Sequence, residues 1–186
     1  MSSAEWKEIG IPEGYEPHRL LYNAQSETII IELRSISEEF SPNKIYIRTK
    51  NSSKYESLNS IRPLDSCESA VTSSGKPVLF YLSYRIKKLE NGWGGDWLGL
   101  YSFNILNHSE TEIVSKGSLL LPSPYNRGWV STIVSASEDA STLVLTVGMT
   151  EESNSQRFCK GDHHLASLNL ETNQLSLISK LKGTFF

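Results

Sequence analysis

Ala136-Ser-Glu-Asp-Ala-Ser-Thr-Leu-Val-Leu-Thr-Val-Gly148, followed by His164-Leu-Ala-Ser-Leu-Asn-Leu-Glu-Thr-Asn-Gln-Leu-Ser-Leu-Ile178, decides the fold. The first half opens on small polar residues that tolerate tight backbone angles. It then runs into β-branched and aliphatic residues suited to a buried strand. In the second half Leu168/Leu170 and Leu175/Leu177 alternate with polar neighbours, as half-buried strands do. Thr172 and Asn173 between them suit a hairpin turn.

The same shape occurs twice upstream. Ala24–Arg34 and Thr72–Arg85 each carry a polar turn and then an apolar run. Lys44–Leu58 and Trp97–Val114 each carry strand, polar hairpin and strand. One more candidate strand precedes each turn, at His18–Tyr22, Glu68–Val71 and Trp129–Val134. The reading is a single all-β domain, 1–186, of three four-stranded antiparallel meander repeats at about 18–60, 67–116 and 129–180.

The pattern Ser-x-Asp-x-x-x-Leu-Val-Leu-Thr-Val with Leu-x-x-Leu-Asn-Leu-Glu-Thr-Asn-x-Leu-x-x-Ile resembles the blades of TolB-like and WD40-like β-propellers, best over 136–178. The Pro-Asp-Gly turn common in such repeats is replaced by Ser137-Glu138-Asp139, and in the second copy by Ser74-Gly75-Lys76. The resemblance implies a propeller-like fold and a tendency to bind partners, and it transfers no catalytic residue. Propellers close with four to eight blades, so three leave the ring open and leave strand edges that proteins normally cover or pair. The chain is then a piece of a longer protein, or it joins a second copy, or the repeats form a β-sandwich instead.

Composition narrows the function classes. With 38% hydrophobic and 21% charged residues the chain is not of the disordered type. A net charge of -3 without a basic block speaks against a nucleic-acid partner. Apolar stretches such as Ile29–Ile31 and Val78–Leu82 are too short to span a bilayer, so no membrane partner is expected. The start Met1-Ser-Ser-Ala-Glu-Trp-Lys-Glu8 lacks the pattern of a signal peptide, and the expected location is the cytoplasm. Two cysteines, Cys67 and Cys159, do not make a disulfide framework.

Gly92-Trp-Gly-Gly-Asp-Trp97 reads as a glycine-rich loop whose two indoles form a stacking platform with Asp96 as acceptor. Its plainer reading is that the indoles pack over the sheet. Tyr125, Arg127 and Trp129 lie in or after a proline-rich loop and join Trp93, Asp96 and Trp97 as candidate ligand-binding residues. Cys159, Asp162, His163 and His164 are metal-ligating types in one stretch, but adjacent histidines of a strand point to opposite faces. No metal site is therefore expected there. There is no Gly-x-Ser-x-Gly elbow, no Walker A pattern and no Gly-x-Gly-x-x-Gly. No catalytic residue and no cofactor is assigned. The function expected is a non-enzymatic binding or scaffold module for a protein partner or small ligand, such as a carbohydrate. Two alternatives stand beside it: a carbohydrate-active enzyme or a fragment of one, and an assembly subunit joined through open sheet edges, including as a homodimer.

Overall fold

The computed structural model describes residues 11–36, 44–58, 66–89, 92–115, 117–151 and 162–182, with the side chains of 66–70 and 84–96 excepted. No α-helix occurs among these residues, and none is therefore long and apolar enough to cross a membrane. Twelve strands form three antiparallel four-stranded sheets, each a meander. Sheet 1 holds β1 (Tyr15–Asn23), β2 (Thr28–Ser35), β3 (Lys44–Arg48) and β4 (Glu56–Ser57). Sheet 2 holds β5 (Ser66–Thr72), β6 (Val78–Leu89), β7 (Gly92–Asn104) and β8 (Ser109–Ser115). Sheet 3 holds β9 (Arg127–Ala136), β10 (Thr142–Thr150), β11 (Asp162–Asn169) and β12 (Gln174–Lys180). The opening strands β1, β5 and β9 lie side by side, β5 between the other two. This is the propeller-like arrangement the repeats predict.

Two apolar layers hold the sheets together. Ile30, Ile45 and Ile47 of sheet 1 meet Leu79, Tyr81, Tyr101 and Phe103 of sheet 2. Phe80, Leu82, Leu100 and Val114, from the opposite face of sheet 2, meet Val130, Ile133, Leu143, Leu145, Val147, Ala166 and Leu168 of sheet 3. Alternation along each strand assigns the faces. β6 alternates between two buried faces, so its run Val78-Leu-Phe-Tyr-Leu82 is apolar throughout.

One segment departs from the sequence reading. Gly92–Trp97 is not a loop. It is the first half of β7 and pairs with β6, Leu89 facing Gly92, Arg85 facing Asp96 and Tyr84 facing Trp97. The long apolar-to-basic run of β6 supplies a partner along its whole length, and ladder hydrogen bonds override the turn propensity of the glycines.

The turns are stapled by side chains. Asn23, Asn104 and Asn169 each accept backbone N–H bonds from their own turn, at Ser26, at Leu106 and Asn107, and at Glu171 and Thr172. Four residues after each Asn comes a left-handed residue, Glu27 (φ 46), His108 (φ 56) or Asn173 (φ 54). In the turn after β9, Ser137 and Asp139 bond Ser141, and Ala140 takes φ 58. Ala140, the residue after Ser137-Glu138-Asp139, thus takes a conformation that glycine adopts without strain.

The inner turns also link sheet to sheet. Asn23, Ser73 and Ser137 hold the same register position at the end of the opening strand of each unit, facing Thr28, Val78 and Thr142. Asn23 is fully buried. Its Nδ2 lies 2.7 Å from Thr72 Oγ1, Ser73 O and Lys76 O in the next turn, so its two N–H groups serve three oxygens. Ser73, also fully buried, donates to Ser137 O at 3.0 Å and Glu138 O at 2.7 Å. The Gly75 N–H adds a bond to Glu138 O, and the Gly75 Cα sits so close that a Cβ would lie 2.5 Å from that oxygen. Ser137 closes instead on its own turn, donating to Asp139 at 2.6 Å.

Asn23→Ala should lower stability by about 3 kcal/mol, since roughly 1 kcal/mol is lost per buried neutral hydrogen bond. Urea unfolding measures this, and a loss below about 1 kcal/mol would mean the inter-sheet bonds are replaced by water. Ala140→Gly should act the other way and raise stability by about 0.5 kcal/mol. Relief of the left-handed backbone outweighs the added freedom of the unfolded chain. A lowered urea midpoint would show that the Ala140 methyl contact matters more than its φ.

Candidate functional site

β10 is the ruler of the site. Its C-terminal half pairs with β9 on one side and β11 on the other. Met149 faces Gly128 and Asp162, Gly148 faces Trp129 and His163, and Val147 faces Val130 and His164. Two stretches far apart in sequence, 125–130 and 162–164, are thereby brought to one end of sheet 3. β12 adds Lys180 opposite His164.

Alternation then sorts the groups by face. Asp162, His164 and Lys180 share one face, and His163 points to the other. On the first face the Tyr125 hydroxyl donates to Asp162 Oδ2 at 3.0 Å and lies 3.3 Å from His164 Nε2. The Tyr125 ring meets His164 edge-on at 5.8 Å. Lys180 Nζ pairs with Asp162 Oδ1 at 2.7 Å. On the opposite face Trp129 lies across Gly148, where a Cβ would come within 2.2 Å of the indole, and meets His163 edge-on at 5.9 Å.

The electrostatics follow from these contacts. The Lys180 ammonium, and after it the Tyr125 hydroxyl, hold the Asp162 carboxyl below the usual carboxylate range. Asp162 in turn raises Lys180. Burial, and then the hydrogen bond to Asp162, push the Tyr125 phenol up. Burial lowers His163. Because the folded Asp162 is the stronger acid, its contribution to stability is present above the ordinary carboxylate pKa. That contribution is lost as pH falls through the depressed value. The Lys180 and Asp162 side chains are 60% and 41% exposed, so solvent screens the pair and its main effect is to orient the carboxylate.

Beside this network is a cleft of about 130 Å³, walled by Leu119, Leu121 and Trp129 and rimmed by Asn126 and Arg127. Gly128 forms its floor against Leu121, with a Cβ there only 2.6 Å from the Leu121 methyl. Asn126 is fixed by its N–H to Thr150 O and its amide to Glu151 O.

Of the six ligand residues expected from sequence, four have described side chains, and these fall in two places. Tyr125, Arg127 and Trp129 come together at this end of sheet 3. Trp129 is only 8% exposed and serves as a wall rather than an open platform. Trp97 is 3% exposed in the layer between sheets 2 and 3, with its indole N–H unbonded among the described residues, and stands in the core. The side chains of Trp93 and Asp96 lie outside the described residues, and so does Cys159. Among the described residues no three Asp, Glu, His or Cys side chains converge as metal ligands. Sequence reasoning missed the joining of Tyr125 to Asp162, His164 and Lys180. The register of β10 against both neighbours was the signal, and it is invisible without the pairing.

No family model matches the chain. No curated protein matches it either. Solved structures do. The chain is similar to an oligogalacturonate lyase in complex with manganese (TM-score 0.56, 16% identity, 91% of this chain and 42% of that one). It is also similar to an oligogalacturonate lyase from Vibrio parahaemolyticus (TM-score 0.54, 15% identity, 91% and 42%). TolB from Acinetobacter baumannii gives a TM-score of 0.33 at 14% identity, over 91% of this chain and 45% of that one. For the two lyases the likeness at these identities is one of fold, and the fold is propeller-like. The chain spans less than half the length of these structures.

Tyr125 should ionise above the ordinary tyrosine range near pH 10. Asp162→Asn should move it back down by removing the neighbouring charge. Ultraviolet titration of tyrosinate, with Tyr125→Phe to assign the signal, reads this. An unchanged titration in Asp162→Asn would place the cause in burial alone.

Proposed function

We propose that this chain is a non-enzymatic binding module of propeller type that holds a protein partner at the Tyr125–Trp129 end of sheet 3. The observation that carries the reading is the size and chemistry of the cleft. Sites for whole small molecules enclose about 300–1,000 Å³, and this one offers about 130 Å³. That is room for one side chain. Leu119, Leu121 and Trp129 suit an apolar or aromatic anchor, and Arg127 and Asn126 on the rim suit the peptide around it. The Tyr125–Asp162–Lys180 network stiffens the loop that carries the rim. Asp162 spends one oxygen on Tyr125 and the other on Lys180, an arrangement suited to support rather than to proton transfer.

The second reading is a carbohydrate-active protein. It is favoured by the fold shared with the oligogalacturonate lyases and by the Tyr125, His164, Asp162 and Lys180 cluster, whose groups are of acid–base type. Selection from a random peptide library separates the two. Peptides sharing one apolar anchor should be enriched on the wild type. Their affinity should fall about tenfold or more for Asn126→Trp, which fills the mouth, or for Arg127→Glu. Absence of enrichment, or equal binding by both variants, would overturn the protein-partner reading. Binding or breakdown of oligogalacturonate, lost in Tyr125→Phe, would establish the second.

A further inference from the structure

β6 and β7 outrun the sheet they belong to. β5 pairs with β6 only as far as Tyr84, and β8 pairs with β7 only from Gly99 onward. β6 and β7 continue to pair with each other, Arg85 facing Asp96, Ile86 facing Gly95, Lys87 facing Gly94, Lys88 facing Trp93 and Leu89 facing Gly92. These pairs make a two-stranded ribbon about 16 Å long. A register shift between Ser83 and Tyr84 marks its root, and Trp97 there is buried in the layer between sheets 2 and 3. A ribbon of two strands is marginally stable alone and is completed by a third strand. The β7 edge is the one the chain turns away from. After Ser115 the Ser118 N–H bonds Ser115 O and Gly117 takes φ 84. Among the described residues no strand pairs with Gly92–Asp96 on that side.

We propose that an extended acidic segment of a partner protein adds to this edge as a third strand, alongside Gly92–Asp96. The register supplies the reason. Residues of a strand alternate between faces, so Arg85 and Lys87 share one face of the ribbon with Asp96 and Gly94, and Ile86 and Lys88 share the other with Gly95 and Trp93. Arg85 already faces an acid across the ribbon, and Lys87 faces none. A residue added opposite Gly94 lies two strands, about 10 Å, from Lys87. Glycine puts no side chain between them, and the gap is within the combined reach of a lysine and a glutamate. A residue opposite Gly95 falls likewise on the face of Ile86, where an apolar side chain fits. Lys88 differs, because Trp93 is the residue between it and the edge. The segment that fits is therefore acidic opposite Gly94 and apolar opposite Gly95. The ribbon is a separate site from the cleft at Trp129, and neither proposal rests on the other.

Fluorescence anisotropy with a short labelled peptide of alternating glutamate and valine tests it. This peptide should bind the wild type, and a lysine–valine peptide should not. The glutamate–valine peptide N-methylated throughout keeps its charge but loses its backbone N–H groups, and should bind about tenfold more weakly or worse. Lys87→Glu should weaken binding about tenfold. Gly94→Val, which favours the strand but sets a side chain in the gap, should do the same. Lys88→Glu should weaken it less than Lys87→Glu, and Asn126→Trp, in the cleft, should leave it unchanged. Circular dichroism of each variant checks that the β spectrum is kept. Failure of the glutamate–valine peptide to bind the wild type overturns the proposal. So does binding that survives N-methylation, or that falls equally in Lys87→Glu and Lys88→Glu, since charge alone then holds the peptide. A loss in Asn126→Trp overturns it as well, by placing the peptide in the cleft.

Discussion

Sheet 2 has no side that can face water, and the rest of the structure follows from that. Leu79, Tyr81, Tyr101 and Phe103 line one face, and Phe80, Leu82, Leu100 and Val114 the other, all almost fully buried. At roughly 1.5–3 kcal/mol per large apolar side chain, exposing the four on either face would cost about 6–12 kcal/mol, comparable to a domain's whole net stability. The middle sheet therefore has to be covered on both sides, and sheets 1 and 3 are its covers. Sheet 1 is itself buried on both faces along β2, where Ile30 and Glu32 alternate with Ile31 and Leu33. Tyr81 stacks on Tyr101 at 5.5 Å and 21° within the first layer, so aromatic packing shapes the face that sheet 1 must fit.

Covering alone does not fix the angle between sheets, because apolar contact is non-directional. The inner turns add direction. Asn23 reaches three oxygens of the second turn, and Ser73 reaches two carbonyls of the third, both from fully buried side chains. Because these bonds sit at the end of β1 and β5, they pin the opening strands while the outer strands adapt. That leaves the sheet 3 end free to build a site from the register of β10. Asp139 shows how firmly the last turn is made. The Ser137 hydroxyl, and then the N–H and hydroxyl of Ser141, bring its pKa down to about 2, so the turn keeps its carboxylate charged through ordinary pH.

Most of this fold was legible in the sequence because its signals are local. Asn169 with Asn173, Ser137 with Asp139, and the unbroken run Val78–Leu82 each announce a turn or a doubly buried strand within a few residues. Gly92–Trp97 misled for the same reason. Its glycines carry a local loop signal, but pairing with Tyr84–Leu89 is a tertiary fact that composition does not carry. The site was legible only in part. Tyr125, Arg127 and Trp129 stood out by type and by the proline-rich approach. Their link to Asp162 and His164 depends on β10 separating two stretches by one strand, and on bulges at Val144/Leu145 and Thr146/Val147 that set which residues face which.

Those bulges bear on the difference between the two faces of sheet 3. Each lets β9 carry an extra residue, Val134 or Ser131, without shifting the partners that follow. Ile133 and Val130 consequently stay on the inward face with Leu145 and Val147, although the sequence between them breaks strict alternation. The same correction keeps Ser135 and Thr132 on the outward face, with Trp129 and Arg127 further along β9. Without the bulges, apolar and polar positions would exchange faces halfway along the strand, and sheet 3 could cover sheet 2 over only half its length. The inward half of that order is what sheet 2 requires. The outward half carries the cleft, since Trp129 and Arg127 stand on that face opposite Gly148 and Thr150.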